Sequence, residues 1–132
     1  MAKILICEDD PLYRQIAEVA FAGSEHETEF LGDGFDVVHR LSKGGYHLLV
    51  TDIVMPDKDG LEVIREIRRR AIKVPILVMS GDSSSLRAPF LQAAKALGAD
   101  EIIAKPFRPP ALREKAEALM RLANDRLASR SA

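Results

Sequence analysis

The sequence predicts an α/β domain whose five-stranded parallel sheet is doubly wound in the strand order 2-1-3-4-5. Two observations carry that prediction. First, five short strand-like runs alternate with five segments whose apolar residues recur at helical spacing. The runs are Lys3–Cys7 (β1), Glu27–Leu31 (β2), His47–Asp52 (β3), Val74–Met79 (β4) and Ile102–Ala104 (β5). Strict alternation of strand and helix calls for a parallel sheet covered on both faces, with right-handed crossovers. Second, carboxylates stand where the first and third runs end: Glu8-Asp9-Asp10 and Asp52. Open α/β sheets gather their ligands at the carboxyl ends of the strands, and in this order β1 and β3 are neighbours at the switch point.

Each element has a local cause. Asp10 before Pro11 reads as an N-cap followed by proline at the first helical position, and Leu12, Ile16, Val19 and Ala20 mark the inner face of the first helix, α1. Gly23 stops it. Thr28 and Phe30 lie on one side of β2, and Asp33-Gly34 punctuates its end. Val37, Val38 and Leu41 carry α2, which Gly44-Gly45 ends. After β3, Pro56 and Gly60 bracket a turn, with Pro56 stiffening the exit and Gly60 free to take a conformation closed to other residues. Leu61, Ile64 and Ile67 mark α3, and Arg68-Arg69-Arg70 crowd its last turn as a solvated, dipole-matched end. Ser80-Gly81 closes β4, and Asp82 to Ser85 form a polar loop. Pro89 opens α4, whose inner face is Phe90, Ala93, Ala94 and Leu97 and whose stop is Gly98. Lys105-Pro106 follows β5; Pro109-Pro110 opens α5, with Leu112, Ala116, Leu119, Ala123 and Leu127 inward and a frayed tail from Ser129 to Ala132.

Composition narrows the function classes. The 132 residues predict one soluble domain, residues 1–132 with a core of 3–127, large enough to bury a core without staples. A net charge of −1 gives no bulk attraction for nucleic acid or an acidic membrane. The single cysteine, Cys7, rules out an internal disulfide and suits a reducing compartment. No apolar run approaches the ~18 residues of a membrane span, and Met1-Ala2-Lys3-Ile4 carries no signal-peptide pattern. A cytoplasmic protein is expected. His26, His39 and His47 fall on different elements and read as surface or structural residues.

The predicted rim holds Glu8, Asp9, Asp52, Ser80 and Lys105. Crowded carboxylates raise one another's pKa, and a divalent cation removes the conflict. Hard oxygen ligands on a wet rim suit Mg²⁺, which keeps several waters and bridges to phosphoryl groups. A carboxylate can attack phosphorus and form an acyl phosphate. Phosphoryl transfer then needs positioning and charge neutralisation, which the cation, Lys105 and the Ser80 hydroxyl would share. No glycine-rich phosphate loop is present, which argues against a nucleotide donor.

These residues give the chain its resemblance to the receiver domain of two-component response regulators, a flavodoxin-like (βα)5 fold. The matching features are β1 ending in Glu8-Asp9, Asp52 within Asp52-Ile53-Val54-Met55-Pro56, Gly60, Ser80-Gly81, Gly98-Ala99-Asp100 and Lys105-Pro106-Phe107. They span Lys3 to about Leu127. The resemblance implies that Asp52 accepts the phosphoryl group and that Asp9 touches Mg²⁺ directly, with Glu8 acting through water and Val54 lending its backbone carbonyl. Ser80 matches the hydroxyl that turns onto the phosphoryl group, and Lys105 the lysine that pairs with it. A cis Lys105-Pro106 bond is also implied. The implied partners are a histidine kinase or histidine phosphotransfer protein upstream and a protein on the α4-β5-α5 face downstream. Nucleic acid and membrane are not among them, and a monomer or weak dimer is expected. Val54 and Asp82, two residues beyond Asp52 and Ser80, flank the pocket where receivers tune acyl-phosphate lifetime.

Three departures stand out. Ile102 occupies the switch position where many receivers carry an aromatic ring, and an isoleucine cannot make the same inward swing. The segment from Ser80 to Lys105 is longer than usual for the family, around Ser83 to Ala88. No second domain follows α5, so a stand-alone receiver is expected. Ile102 and the longer loop keep open a phosphorylation-independent scaffold on the same fold. A metal-dependent phosphatase of the haloacid-dehalogenase type is disfavoured, because Val54 stands where a second aspartate is usual and no substrate cap exists.

Overall fold

The structure, a computed structural model, describes residues 2–53, 60–81 and 92–131. Five parallel strands form one sheet in the order β2-β1-β3-β4-β5. They run Lys3–Cys7, Glu27–Leu31, Leu48–Asp52, Ile76–Ser80 and Glu101–Ala104. Every residue of β3 and β4 is buried, as expected for central parallel strands covered on both faces. The helices are α1 (Pro11–Phe21), α2 (Phe35–Ser42), α3 (Gly60–Arg69) and α5 (Pro109–Ser131), with 92–97 the described part of α4. Alternate strand residues divide the core in two. Leu5, Leu49, Ile76 and Val78 pack with α2, α3 and Ala94 of α4. Ile4, Ile6, Leu48, Val50, Leu77 and Met79 pack with α1 and α5. No described helix is long and apolar enough to cross a membrane.

The local signals act largely as expected. The Asp10 carboxylate accepts the Leu12 backbone N–H at 2.9 Å, capping α1 with Pro11 in its first turn. Lys105-Pro106 is cis. Strand ends shift by a residue or two: β3 starts at Leu48, β4 covers Ile76–Ser80 and β5 starts at Glu101. The turn residues 54–59, the loop from Asp82, and Pro89 and Phe90 lie outside the described residues.

Four expectations need correction. The inner face of α1 is Ala17, Ala20 and Phe21, while Leu12 and Val19 are 59% and 57% exposed and Ile16 is half-buried. Two stripes of helical period run along α1, and the one with small residues lets the helix close on β1 and α5. On α5, Leu112, Ala116 and Leu119 are buried as expected, joined by Met120, but Ala123 is half-buried and Leu127 is 61% exposed. The 23-residue helix is about 34 Å long and outruns strands of five residues or fewer. Its tail is helical to Ser131 rather than frayed, with no glycine or proline after Pro110 to end it.

The fourth correction is Arg68. It is no solvated helix end but a knot at the amino-terminal edge of the sheet. Its guanidinium donates to the carbonyls of Ile72 at 2.9 Å, Val74 at 2.8 Å and Gly98 at 2.9 and 3.1 Å, and to the Asp100 carboxylate at 2.9 Å. Asp100 in turn accepts the backbone N–H of Ile76 at 2.8 Å. Gly98 is glycine for two reasons: its φ is +124°, and a Cβ there would sit 2.6 Å from Arg68 Cγ. Beside the knot, Ile72 N–H reaches back to Ile67 C=O at 3.2 Å, a helix-ending turn that puts Ala71 at φ +60° where glycine is usual.

Two stability changes are expected here. Arg68→Ala strips a charged donor from several carbonyls and costs about 2–3 kcal/mol. Arg68→Lys restores less than half, because an ammonium lacks the planar fork. Ala71→Gly removes left-handed strain and stabilises by about 0.5–1 kcal/mol. Urea unfolding of the variants checks both.

Candidate functional site

Parallel pairing brings the predicted rim together. Cys7 lies beside Thr51, Asp52 beside Met79, and Ser80 beside Ala104, so the strands end together. Glu8 follows β1, Asp52 ends β3, Ser80 ends β4 and Lys105 follows β5. Backbone bonds fix these ends: Glu8 N–H donates to Leu31 C=O at 3.0 Å, and Lys105 N–H to Ser80 C=O at 2.7 Å. Gly60 lets α3 start directly on the end of β3. Its N–H donates to Ile53 C=O at 2.9 Å, and a Cβ there would lie 2.5 Å from that oxygen and 2.8 Å from the carbonyl oxygen of Asp52. The need shown at Gly60 is thus close approach.

The Lys105 ammonium joins two acids. It donates to Glu8 Oε1 at 2.5 Å and to Asp52 Oδ2 at 3.1 Å. Glu8 is fully buried, Asp52 is 7% exposed, and Asp9 is exposed on the rim. Burial pushes the Glu8 carboxyl up to about 7; Lys105 opposes this and the Asp52 charge adds to it. Burial pulls the Lys105 ammonium down, but its bond to Glu8 and the charges of Asp52 and Glu8 leave it raised overall. Ser80 is buried and its hydroxyl donates to Gly81 C=O at 3.4 Å, a long bond that leaves it easy to redirect. Ile102 packs half-buried against the core on the α2, α3 and α4 side. Val54 and Asp82 lie outside the described residues.

Glu8, Asp9 and Asp52 each offer a carboxylate oxygen, and these oxygens lie within 4.8 Å of one another. The Lys105 ammonium bonds two of the three acids, Glu8 and Asp52, and the three carboxylates crowd together in a largely buried place. The donor set is all hard oxygen, partly open to solvent through Asp9, and fits a small divalent cation. Cys7 takes no part. Its thiol is buried, donates to the Asp33 carbonyl at 3.1 Å, and is pushed up to about 12 by burial.

One residue at the site, Tyr13, escaped sequence reasoning, and Phe107 was singled out there without a role. The Lys105 ammonium lies 4.3 Å from the centroid of the Tyr13 ring, and that ring packs 5.3 Å from the ring of Phe107 at a tilt of 53°. Tyr13 is in the first turn of α1, just after the acids, a placement the sequence shows, but that α1 lies beside α5 is known only from the fold. His26 is structural as expected, paired with Glu117 at 3.2 Å, and His47 Nδ1 accepts the Lys3 N–H at 3.0 Å.

The chain belongs to the response regulator receiver domain family, whose model matches residues 4–117. Among curated relatives, the transcriptional regulatory protein RprY of Bacteroides fragilis is 31% identical over 119 residues, covering 90% of this chain and 49% of its own length. The response regulator MprA of Mycobacterium avium is 33% identical over 120 residues, covering 90% and 51%. The chain thus spans about half the length of these relatives. Among solved structures, the chemotaxis protein CheY4 of Vibrio cholerae aligns with a TM-score of 0.79 at 26% identity, over 90% of this chain and 98% of that one. A CheY-like receiver domain protein from Methanospirillum hungatei aligns at 0.85 and 20%, over 96% and 98%, and shares the fold.

The charge balance of the rim is testable. In buffer without divalent cation, Lys105→Ala costs about 3 kcal/mol, because it leaves buried acids without their counter-ion. Adding Glu8→Gln to that variant recovers at least half of the loss. Urea unfolding of the single and double variants measures the coupling.

Proposed function

We propose that this receiver domain accepts a phosphoryl group on Asp52 and relays it as a signal. The observation that carries the reading is the position of the Asp52 carboxylate: at the carboxyl end of a buried strand, 3.1 Å from the Lys105 ammonium and beside Glu8 and Asp9. Burial and the fixed strand end orient the nucleophile, so little motion is needed to reach attack geometry.

The donor in this reading is a phosphohistidine on a histidine kinase or histidine phosphotransfer protein. An Asp52 oxygen forms the new bond to phosphorus as the bond from phosphorus to the imidazole nitrogen breaks. The electron pair goes to that nitrogen, which takes up a proton. Lys105, already between Glu8 and Asp52, would neutralise one equatorial oxygen of the transferred group. The Ser80 hydroxyl, whose bond to Gly81 is long, would turn to a second. Glu8, Asp9 and Asp52 would hold Mg²⁺, with the Val54 carbonyl as a further ligand. An ion held there would supply positive charge against the negative charge of the phosphoryl group. The chain catalyses only the gain and loss of its own phosphoryl group and turns over no separate substrate.

The added charge draws Ser80 inward and biases the α4–β5–α5 face, which a partner protein reads. A cytoplasmic setting belongs to this reading. One observation favours the rival reading of a phosphorylation-independent scaffold: Ile102 offers no ring to swing at the switch position.

Intact mass after incubation with acetyl phosphate separates the two. The expected result is a gain of one phosphoryl group that requires Mg²⁺ and is lost in Asp52→Asn. No adduct from acetyl phosphate or from a set of phosphohistidine donors would leave the scaffold.

A further inference from the structure

We propose that Tyr13 is a positioning residue for phosphoryl transfer: its ring face holds the Lys105 ammonium in place while that ammonium exchanges its carboxylate partners. The inference rests on the phospho-acceptor reading of Asp52 and goes beyond it, since the acids, Ser80 and Lys105 suffice to state that reading.

Geometry carries the argument. An ammonium within about 6 Å of a ring centroid is attracted to the ring face, and here the separation is 4.3 Å. Lys105 ends a four-carbon stem with no stiffness of its own. Two of its contacts are hydrogen bonds to acids, Glu8 and Asp52. The proposed chemistry alters both. Asp52 becomes an acyl phosphate and loses its negative charge at the accepting oxygen. Glu8 must share its carboxylate with a cation. The Tyr13 ring is a partner that the reaction leaves untouched.

The ring is itself braced. Phe107, two residues beyond Lys105, packs on it with centroids 5.3 Å apart. Lys105 and Phe107 flank Pro106 on the segment after β5, so one segment presents both the ammonium and the brace. A neutral ring suits the position better than a third acid. It attracts the ammonium without adding another carboxylate to Glu8, Asp9 and Asp52. It also covers the ammonium on the α1 side; the Lys105 side chain is only 10% exposed.

The test compares wild type, Tyr13→Leu and Tyr13→Phe in the full chain. Leucine keeps apolar bulk but removes the ring, and phenylalanine keeps the ring without the hydroxyl. With acetyl phosphate as the donor, an Asp52 oxygen bonds to phosphorus and acetate leaves with the electron pair of the broken bond. The rate of adduct formation at fixed Mg²⁺ is followed by intact mass. Tyr13→Leu is expected to slow it by roughly 3- to 10-fold, the size of a partly desolvated cation–ring attraction, and Tyr13→Phe to restore it to within about twofold of wild type. Selectively labelled Lys105 side-chain resonances, read by NMR without any donor, should carry a ring-current shift in wild type and Tyr13→Phe that is lost in Tyr13→Leu. Wild-type rates in Tyr13→Leu would overturn the proposal, and so would equal slowing in both variants, which would assign the effect to the hydroxyl. Absence of any adduct in wild type would defeat the phospho-acceptor reading and this one with it. The resonance comparison would still report the contact, so the two failures are distinguishable.

Discussion

The Lys105 ammonium between Glu8 and Asp52 is the contact on which the rest of the site depends. Three carboxylates stand where one cation can reach two of them, and two of the three are buried. Without Lys105, burying Glu8 next to Asp52 would be among the costliest arrangements in the domain. With it, the acids remain close enough to act as one group. Three hard oxygen donors held this close form a set that a small divalent cation fits.

That arrangement needs four strand ends in one plane, and the parallel sheet delivers them. The registers that pair Cys7 with Thr51, Asp52 with Met79 and Ser80 with Ala104 put Glu8, Asp52, Ser80 and Lys105 within two residues of the same height. Gly60 lets α3 begin directly against the end of β3. At the opposite edge, Arg68 ties the end of α3 to the segments entering β4 and β5. The sheet is thus closed by a cation at each end. Lys105 is met by side-chain acids whose protons can shift, Arg68 chiefly by carbonyls that cannot titrate. The first can exchange its partners; the second cannot.

Strand order, the acid rim and the lysine were legible in the sequence, because each rests on a short-range pattern. Buried parallel strands are continuous apolar runs, and the acids follow them directly, as at Cys7-Glu8 and Thr51-Asp52. What was not legible depends on contacts between distant segments. Arg68 looked like any basic helix end until Gly98 and Asp100 came to meet it. On α1, Leu12, Ile16 and Val19 outweigh Ala17 and Ala20 in hydrophobicity, yet the small residues face inward because α5 needs the room. Tyr13 was passed over for a related reason: half-buried aromatics are common, and only the fold shows which side chain lies over the ring. Ala71 carries no sign of its left-handed backbone, since glycine is the residue that advertises one.

The buried Cys7 thiol has a use that its chemistry alone would not suggest. It is the only cysteine in the chain, sits in the strand next to Glu8, and is held in its thiol form by burial. A thiol-reactive probe can therefore modify the native protein only in the moments when β1 parts from its neighbours. The rate of that modification is a clock for the breathing of the central sheet, set one residue away from the acids and readable without adding a label.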